Sequence, residues 1–473
     1  MTARWGNIKV EDIISPLKGR LAGGNPGLPV TGVSTDSREI LKGCIFFALK
    51  GERFDGHDFA VKAMEQGASC IVINKGYRID APSEADAAII AVEDTLKALG
   101  ELASWWRHQF DVKVAAITGS AGKTTTKEMT AAILEMSTRT LKNRGNLNNL
   151  IGLPMTVFRL EEGVSRMVLE MGMNMPGEIR RLTEIADPDV GLITNVGYAH
   201  LEGLGDIEGV ARAKTELLEK MSPEGRVILN GDDDILMKTA KRFKRDFMTF
   251  GLKQENDVRA EGVRNLGKDG ISFKLCCRGS YGQVLVPLPG MHNLLNALAA
   301  ASVAMSMGEP FENISEGLKR YEGLNGRFKT IQLADDIILV DDTYNSNPSS
   351  LRAALDAVRD MAAGAKRVIV GLGEMMELGD KTTRAHSDAG RMVADIGASW
   401  FFAMGEHAGD MIRGAVESGL TSGKAVGVAA YGDMIAGIDD ILRPGDIVFL
   451  KASRRMGLDA VARGLQEKRS REV

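Results

Sequence analysis

Lys123 stands in "AAITGSAGKTTTKEMTAAIL" (115–134), where glycines, a lysine and three consecutive threonines separate an apolar run from a helical pattern. Such a stretch is suited to binding phosphate. Glycines let backbone N–H groups converge on phosphate oxygens, and the N-terminus of a following helix adds partial positive charge. A lysine can reach β- and γ-phosphates while a threonine hydroxyl meets Mg²⁺. The spacing departs from the common phosphate loop, which wants a glycine five residues before the Gly-Lys pair; Ile117 occupies that position. Gly119, Ser120, Ala121, Gly122, Lys123, Thr124 and Thr125 are the candidate cradle for the phosphates of ATP. The alternative, a glycine-rich strand-to-helix turn with no ligand, explains the glycines but not the lysine and threonines.

In open α/β sheets, ligands sit beyond the carboxyl ends of the strands. Glu170, in "LEMGMNMPGEI", falls at such an end, as do Asn195 and His200 in "TNVGYAHLEGLGD". A carboxylate and an imidazole brought to Thr124 could hold one or two Mg²⁺ ions. Taken singly, each also reads as an ordinary solvated or hydrogen-bonded residue. Met171, Met173 and Met175 are expected to pack rather than to ligate a soft metal.

The elements that must position these groups read as α/β throughout, with short β-branched runs alternating with helical patterns. The expected division is 1–110, 111–328 and 329–473. Strands are expected at Cys44–Leu49, Cys70–Ile73 and Ala87–Val92, and then at Val112–Ile117, Met167–Met171, Val190–Thr194 and Arg226–Asn230. Ile337–Asp341, Arg367–Leu372, Trp400–Met404 and Asp446–Leu450 follow in the last segment. Met129, Ala132, Ile133 and Met136 recur at the spacing of one helix face, so the loop is expected between a buried strand and a helix.

At 473 residues with 44% hydrophobic and 26% charged residues, the chain fits a globular protein of several domains. A net charge of −4 speaks against nucleic acid as a partner. The four cysteines, two of them adjacent, fit neither a disulfide framework nor a metal cluster and are expected to be buried packing residues. With no signal-like start and no apolar run long enough for a bilayer, a cytoplasmic location without membrane insertion is expected.

Several motifs in one order carry a resemblance: "TGSAGKTTTK", "NLNNLIGLP", "EMGMNMPGEI", "ITNVGYAHLEGLG", "AKTELL", "PGMHNLLNALAA", "NGRFKT" and "DDTYNSNPSS". Together they resemble the Mur ligases, ATP-dependent amide-forming enzymes of peptidoglycan assembly, whose own loop is the short T-G-x-x-G-K-T form. The resemblance implies three domains: a small N-terminal α/β domain for a UDP-linked substrate, a central ATP-binding domain with a parallel sheet, and a C-terminal Rossmann-like domain. The "GVSTDSREILKGCIFFALKGERFDGHDF" stretch is similar to the uridine-nucleotide domain of the last two enzymes of the series. A D-N-P-R-like stretch, expected of the enzyme adding the third residue, is absent. Instead, "DDTYNSNPSSLRAAL", "GEMMELGDKTTRAHSDAG" and "GDIVFLKASRRMGLD" resemble the last enzyme of the series, and that resemblance implies UDP-N-acetylmuramoyl-tripeptide and D-alanyl-D-alanine as substrates, with an acyl phosphate between them. The ligase adding the third residue, a folate polyglutamate-type ligase and a non-ligase P-loop ATP-binding regulator remain as alternatives.

The resemblance also implies roles residue by residue. Lys123 would stabilise the transferring phosphoryl group. Thr124 and Glu170 would ligate one Mg²⁺ and His200 a second, with Lys214 of "ARAKTELL" a carbamylatable ligand or anchor. Asn293 and Asn296 would contact adenine, Arg327 would reach the phosphates from the domain junction, and Asp342 would approach the ribose. Ser34, Thr35, Ser37, Arg38, Lys50 and Gly51 are candidates for the uridine diphosphate, with Asn148 and Asn149 further candidates for the substrate. The dipeptide is expected near Tyr344, Asn345 and Asn347. A monomer is expected.

Overall fold

Runs such as Val114–Ile117 carry apolar side chains on both faces of a strand and are stable only when both faces are covered. All four of those residues are fully buried. The computed structural model describes residues 5, 8–79, 86–198, 201–277, 280–362 and 366–469. Among them are three mainly parallel sheets, of five, nine and six strands, with helices packed on them.

The first sheet runs from Arg20–Gly23 through Ala88–Val92, Cys70–Asn74 and Ile45–Phe47 to Val33–Ser34, antiparallel only at its first pair. The second has Lys113–Thr118 between Arg166–Glu170 and Val190–Ile193, all parallel. It continues through Arg226–Asn230 and Phe247–Gly251 and ends in an antiparallel pair, Ile271–Cys277 and Ser280–Val286. In the third, Ile338–Asp342, Ile447–Lys451, Val368–Leu372 and Trp400–Met404 lie parallel, with Lys329–Gln332 antiparallel at one edge.

Each strand expected from an apolar run is present to within a residue or two at its ends. Strands without such a run escape the sequence pattern. Ile271–Cys277 and the first half of Val258–Asn265 largely alternate buried and half-exposed residues, and the second half of Val258–Asn265 is exposed, because the antiparallel extension is covered on one face only. The helix after the phosphate loop spans Lys123–Leu134, so Met129 and Ile133 lie on its buried face while Met136 falls beyond its end. Two further expectations are corrected. Met175 is 53% exposed rather than packed, and Cys277 is only partly buried, unlike Cys44, Cys70 and Cys276. Among the described residues no helix is long and apolar enough to cross a membrane.

Candidate active site

The parallel order of three strands places the ends of Thr118, Glu170 and Ile193 along one edge of the central sheet. The chain leaving Thr118 must pass very close to its neighbours. A Cβ on Gly119 (φ 151°) would lie 1.8 Å from Thr194 Oγ1, and one on Gly122 (φ 80°) 2.2 Å from Asn296 Oδ1. Only glycine satisfies both backbone and space there. The loop is then fixed from outside. Asn195 Oδ1 accepts the Ala121 N–H at 2.9 Å, Thr194 Oγ1 donates to the Ala121 carbonyl at 2.6 Å, and Ser120 Oγ donates to the Gly197 carbonyl at 3.1 Å. Lys123 Nζ folds back on the Gly119 carbonyl at 2.8 Å. Burial pushes its ammonium down from the usual lysine range, while the Glu170 carboxylate works in the opposite direction.

Glu170 is 3% exposed. Its Oε1 accepts from Asn148 Nδ2 at 2.8 Å, whereas Oε2 is buried with no hydrogen-bond partner. A buried carboxylate oxygen without a donor is costly unless a cation meets it. A hard divalent ion beside the Thr124 hydroxyl fits that oxygen, so the residues present suit Mg²⁺. Asn149 serves the backbone instead, since its Oδ1 accepts the Ile151 and Gly152 N–H groups and starts the helix Gly152–Val157. Lys214, on the helix Ile207–Lys220, is 1% exposed. Its ammonium is held well below the usual range, first by burial and then by the charge of Lys123. His200 lies outside the described residues.

The opposite wall comes from the third unit. Its entry turn is backbone-strained, with Gly326 at φ 71° and the non-glycine Phe328 at φ 54°. Two carboxylates clamp it: Asp341 Oδ2 accepts the Gly326 N–H at 3.1 Å and Asp342 Oδ1 the Phe328 N–H at 3.1 Å. Between them Arg327 points into the central unit. Its Nη2 donates to Thr124 Oγ1 at 3.1 Å, and its guanidinium lies 4.0 Å from the Tyr344 ring centroid. Asp342 is ion-paired with buried Lys451, which also donates to the Asn345 carbonyl at 3.0 Å. Burial raises the Asp342 carboxyl and lowers the Lys451 ammonium, and each is the other's main offset. Asn347 caps the helix Pro348–Met361 through Oδ1 and turns Nδ2 toward the Ser120 carbonyl at 3.5 Å.

These two walls enclose one cleft of about 750 Å³. Residues 120–125, Asn148, Asn149, Glu170, Asn293 and Asn296 line it from the central unit, and Arg327, Asp342, Tyr344, Asn345 and Asn347 from the junction and third unit. Asn293 and Asn296 lie on the helix Met291–Ser306; Asn293 Nδ2 donates to the Pro289 carbonyl at 2.9 Å. Gly119 and Lys214 lie outside this lining. Sequence reasoning missed His292, Glu377, Lys451, Arg454 and Arg455, which also line it. The N-terminal candidates form a separate group off the cleft. Ser34 closes a turn on Asp36, and exposed Arg38 pairs with Asp36 and draws that carboxyl down to about 2. Ser37 is buried, Thr35 half-buried, and Lys50 and Gly51 exposed.

Comparison with known proteins agrees with this arrangement of units. Residues 29–107 match the Mur ligase family, catalytic domain, residues 117–304 the Mur ligase middle domain, and residues 326–454 the Mur ligase, glutamate ligase domain. The chain is similar to UDP-N-acetylmuramoyl-tripeptide--D-alanyl-D-alanine ligase of Escherichia coli strain K12, 36% identical over 465 residues, covering 98% of this chain and 99% of that one. Its Bacillus subtilis strain 168 counterpart is 33% identical over 461 residues, covering 97% and 98%. Among solved structures, MurF from Acinetobacter baumannii superposes with a TM-score of 0.88 at 33% identity, covering 98% of this chain and 99% of that one. MurF from Thermotoga maritima in complex with ADP gives 0.82 at 27% identity, covering 92% and 97%. With a phosphate loop of the short form, a junction arginine reaching it and near full-length similarity to these ligases, the chain belongs to the Mur ligase family.

Proposed function

We infer that this protein is an ATP-dependent ligase that joins D-alanyl-D-alanine to UDP-N-acetylmuramoyl-tripeptide, the step in peptidoglycan synthesis that yields the UDP-linked pentapeptide in the cytoplasm. One observation carries the reading: Arg327 of the junction reaches Thr124 of the phosphate loop, in a cleft that is also lined by Glu170 with its buried carboxylate oxygen free of hydrogen-bond donors.

The chemistry explains the layout. A free carboxylate resists an amine because it is anionic and lacks a leaving group. Transfer of the γ-phosphoryl group gives an acyl phosphate; the amine attacks it and phosphate leaves. Both steps gather anions, so cations and oriented N–H donors govern the rate. The 119–125 loop holds the phosphates, Lys123 offsets charge on the transferring group, and Arg327 adds a second cation from across the cleft. Glu170 and Thr124 would hold Mg²⁺, which neutralises phosphate charge when bound. Burial, and then the charge of Lys123, hold the Lys214 ammonium well below the usual lysine range, which favours the neutral form that would add CO₂ to become a carbamate. Asn293 and Asn296 would face adenine, and the Ser34–Arg38 and Lys50–Gly51 turns would take the uridine diphosphate. Closure of the two walls over the acyl phosphate excludes water and protects it from hydrolysis.

The test is ADP release coupled to product mass, with Mg·ATP, UDP-N-acetylmuramoyl-tripeptide and D-alanyl-D-alanine, omitting one component at a time. Release that needs all of them, with the UDP-linked pentapeptide appearing, is the expected result. Turnover without the dipeptide, or no pentapeptide, would overturn the reading.

A further inference from the structure

The groups assigned so far serve the two nucleotides, the transferring phosphoryl group and the metal ion. The nucleophile is different, a zwitterion with an ammonium at one end and a carboxylate at the other. Two neighbouring segments of the third unit supply the matching charges. One follows the strand Val368–Leu372 and the other its parallel partner Ile447–Lys451. Buried Ser453 ties them together: its Oγ accepts the Met376 N–H at 2.9 Å, and its own N–H donates to the Glu374 carbonyl at 2.9 Å. The first segment presents Glu377 to the cleft and the second Arg454 and Arg455.

Glu377 holds a left-handed backbone at φ 64°, a conformation that persists in a non-glycine residue only when its surroundings enforce it. Its charge is felt by Lys123, against which it counts as an anion. Glu377 has a partner within the protein, and its charge still repels a triphosphate or a carboxylate substrate and attracts a cation. The arginines divide. Arg454 lies 5.3 Å from the centroid of the Tyr344 ring that Arg327 also covers. Arg455 is exposed at the cleft and has no carboxylate at ion-pair distance among the described residues. A guanidinium fork suits a terminal carboxylate by two parallel hydrogen bonds.

We propose that Glu377 and Arg455 are the recognition pair for the incoming dipeptide, Glu377 receiving its ammonium and Arg455 its terminal carboxylate. The proposal rests on the ligase reading above and names how that site selects its nucleophile. It makes the enzyme a reader of free ends, so that a dipeptide amidated at its C-terminus loses one of the two anchors.

The experiment is steady-state kinetics on the full chain with D-alanyl-D-alanine and with its C-terminal amide. The wild type is expected to favour the free acid. Arg455→Met should raise KM for the dipeptide by about tenfold or more and use acid and amide alike, and Arg455→Lys should regain part of the preference. Glu377→Gln should raise the dipeptide KM by a similar factor while KM for ATP and for the UDP-linked acceptor stays within about twofold. Thermal unfolding of each variant, expected to match the wild type, separates recognition from folding. An Arg455→Met variant that keeps the acid preference, a Glu377→Gln loss that falls on ATP or acceptor, or a wild type indifferent to amidation overturns the proposal. A wild type that forms no bond to the dipeptide at all overturns the ligase reading instead.

Discussion

The two walls of the cleft are built on opposite plans. The central wall is self-supporting: Lys123 is held by Gly119 of its own loop, Asn148 holds Glu170, and Asn195 holds Ala121, all within one sheet edge. The wall from the third unit hangs on a buried charge pair, Lys451 and Asp342, which sets the strained turn that aims Arg327. A phosphate site of the first kind exists whether or not the cleft is closed. The second kind contributes only when it arrives, which suits a group that must meet the transition state rather than the resting nucleotide.

Lys123→Ala tests the first wall and should have the largest effect. The central wall keeps its backbone anchors without this side chain, so unfolding should stay near wild type while ADP release falls by about a thousandfold or more, the scale of losing a principal charge stabiliser in a buried site. A variant that unfolds early would show that Lys123 supports the loop more than it serves the phosphates. Lys451→Met should behave in the reverse way. Removing one partner of a buried ion pair leaves Asp342 uncompensated and costs about 3–5 kcal/mol of stability. Denaturant unfolding reads this directly, and Lys451→Met with Asp342→Asn should recover at least part of it. If both single variants lose activity and stability in equal proportion, the contrast between the walls is wrong.

That contrast also decides what could be read from sequence. The phosphate cradle is contiguous, so its residue types announce themselves within a few positions. Lys451 and Asp342 are 109 positions apart and meet only because their strands are parallel neighbours; in the sequence Lys451 is simply the residue after "DIVFL". Glu377 and Arg455 sit in segments whose composition is ordinary, and they become neighbours through the parallel pairing of the strands before them and through Ser453. The strands have the same history. Parallel strands covered on both faces appear as apolar runs, whereas Val258–Asn265 is covered on one face over half its length and carries too few apolar residues to be seen. The family resemblance points Asp342 toward the ribose; in the fold it is first of all the clamp on the Phe328 N–H.

Arg327→Lys sharpens the comparison at the point where the walls touch. Lysine keeps the charge but loses the fork that reaches Thr124 while lying on Tyr344. A hydrogen bond to a charged group is worth about 1.5–3 kcal/mol, so kcat should fall by about tenfold to a hundredfold. KM for ATP should change little, because the phosphate loop is complete without the arginine. A rise in KM with unchanged kcat would place Arg327 in ground-state binding instead.

The smallest effect expected is a titration that reports how closely the walls pack. His292 belongs to the central unit but faces the third: its ring meets Phe328 edge-on at 4.9 Å between centroids, and its buried Nδ1 has no hydrogen-bond partner. Burial, and then the charge of Lys451, depress its pKa to about 4. The folded state therefore favours neutral His292, relative to an unfolded value of about 6.5. Its contribution is complete above pH 6.5 and is lost as pH falls from 6.5 toward 4, because protonation then favours the unfolded chain. His292→Gln removes that dependence. Between about pH 7 and 5 the wild type should lose about 1–2 kcal/mol more unfolding free energy than the variant. In a Lys451→Met background the difference should shrink, since one of the two causes of the depressed pKa is gone. A difference that stays flat with pH would mean that the third unit does not press on His292 in solution, and that the closed pairing of the walls is a state the protein enters only with its substrates.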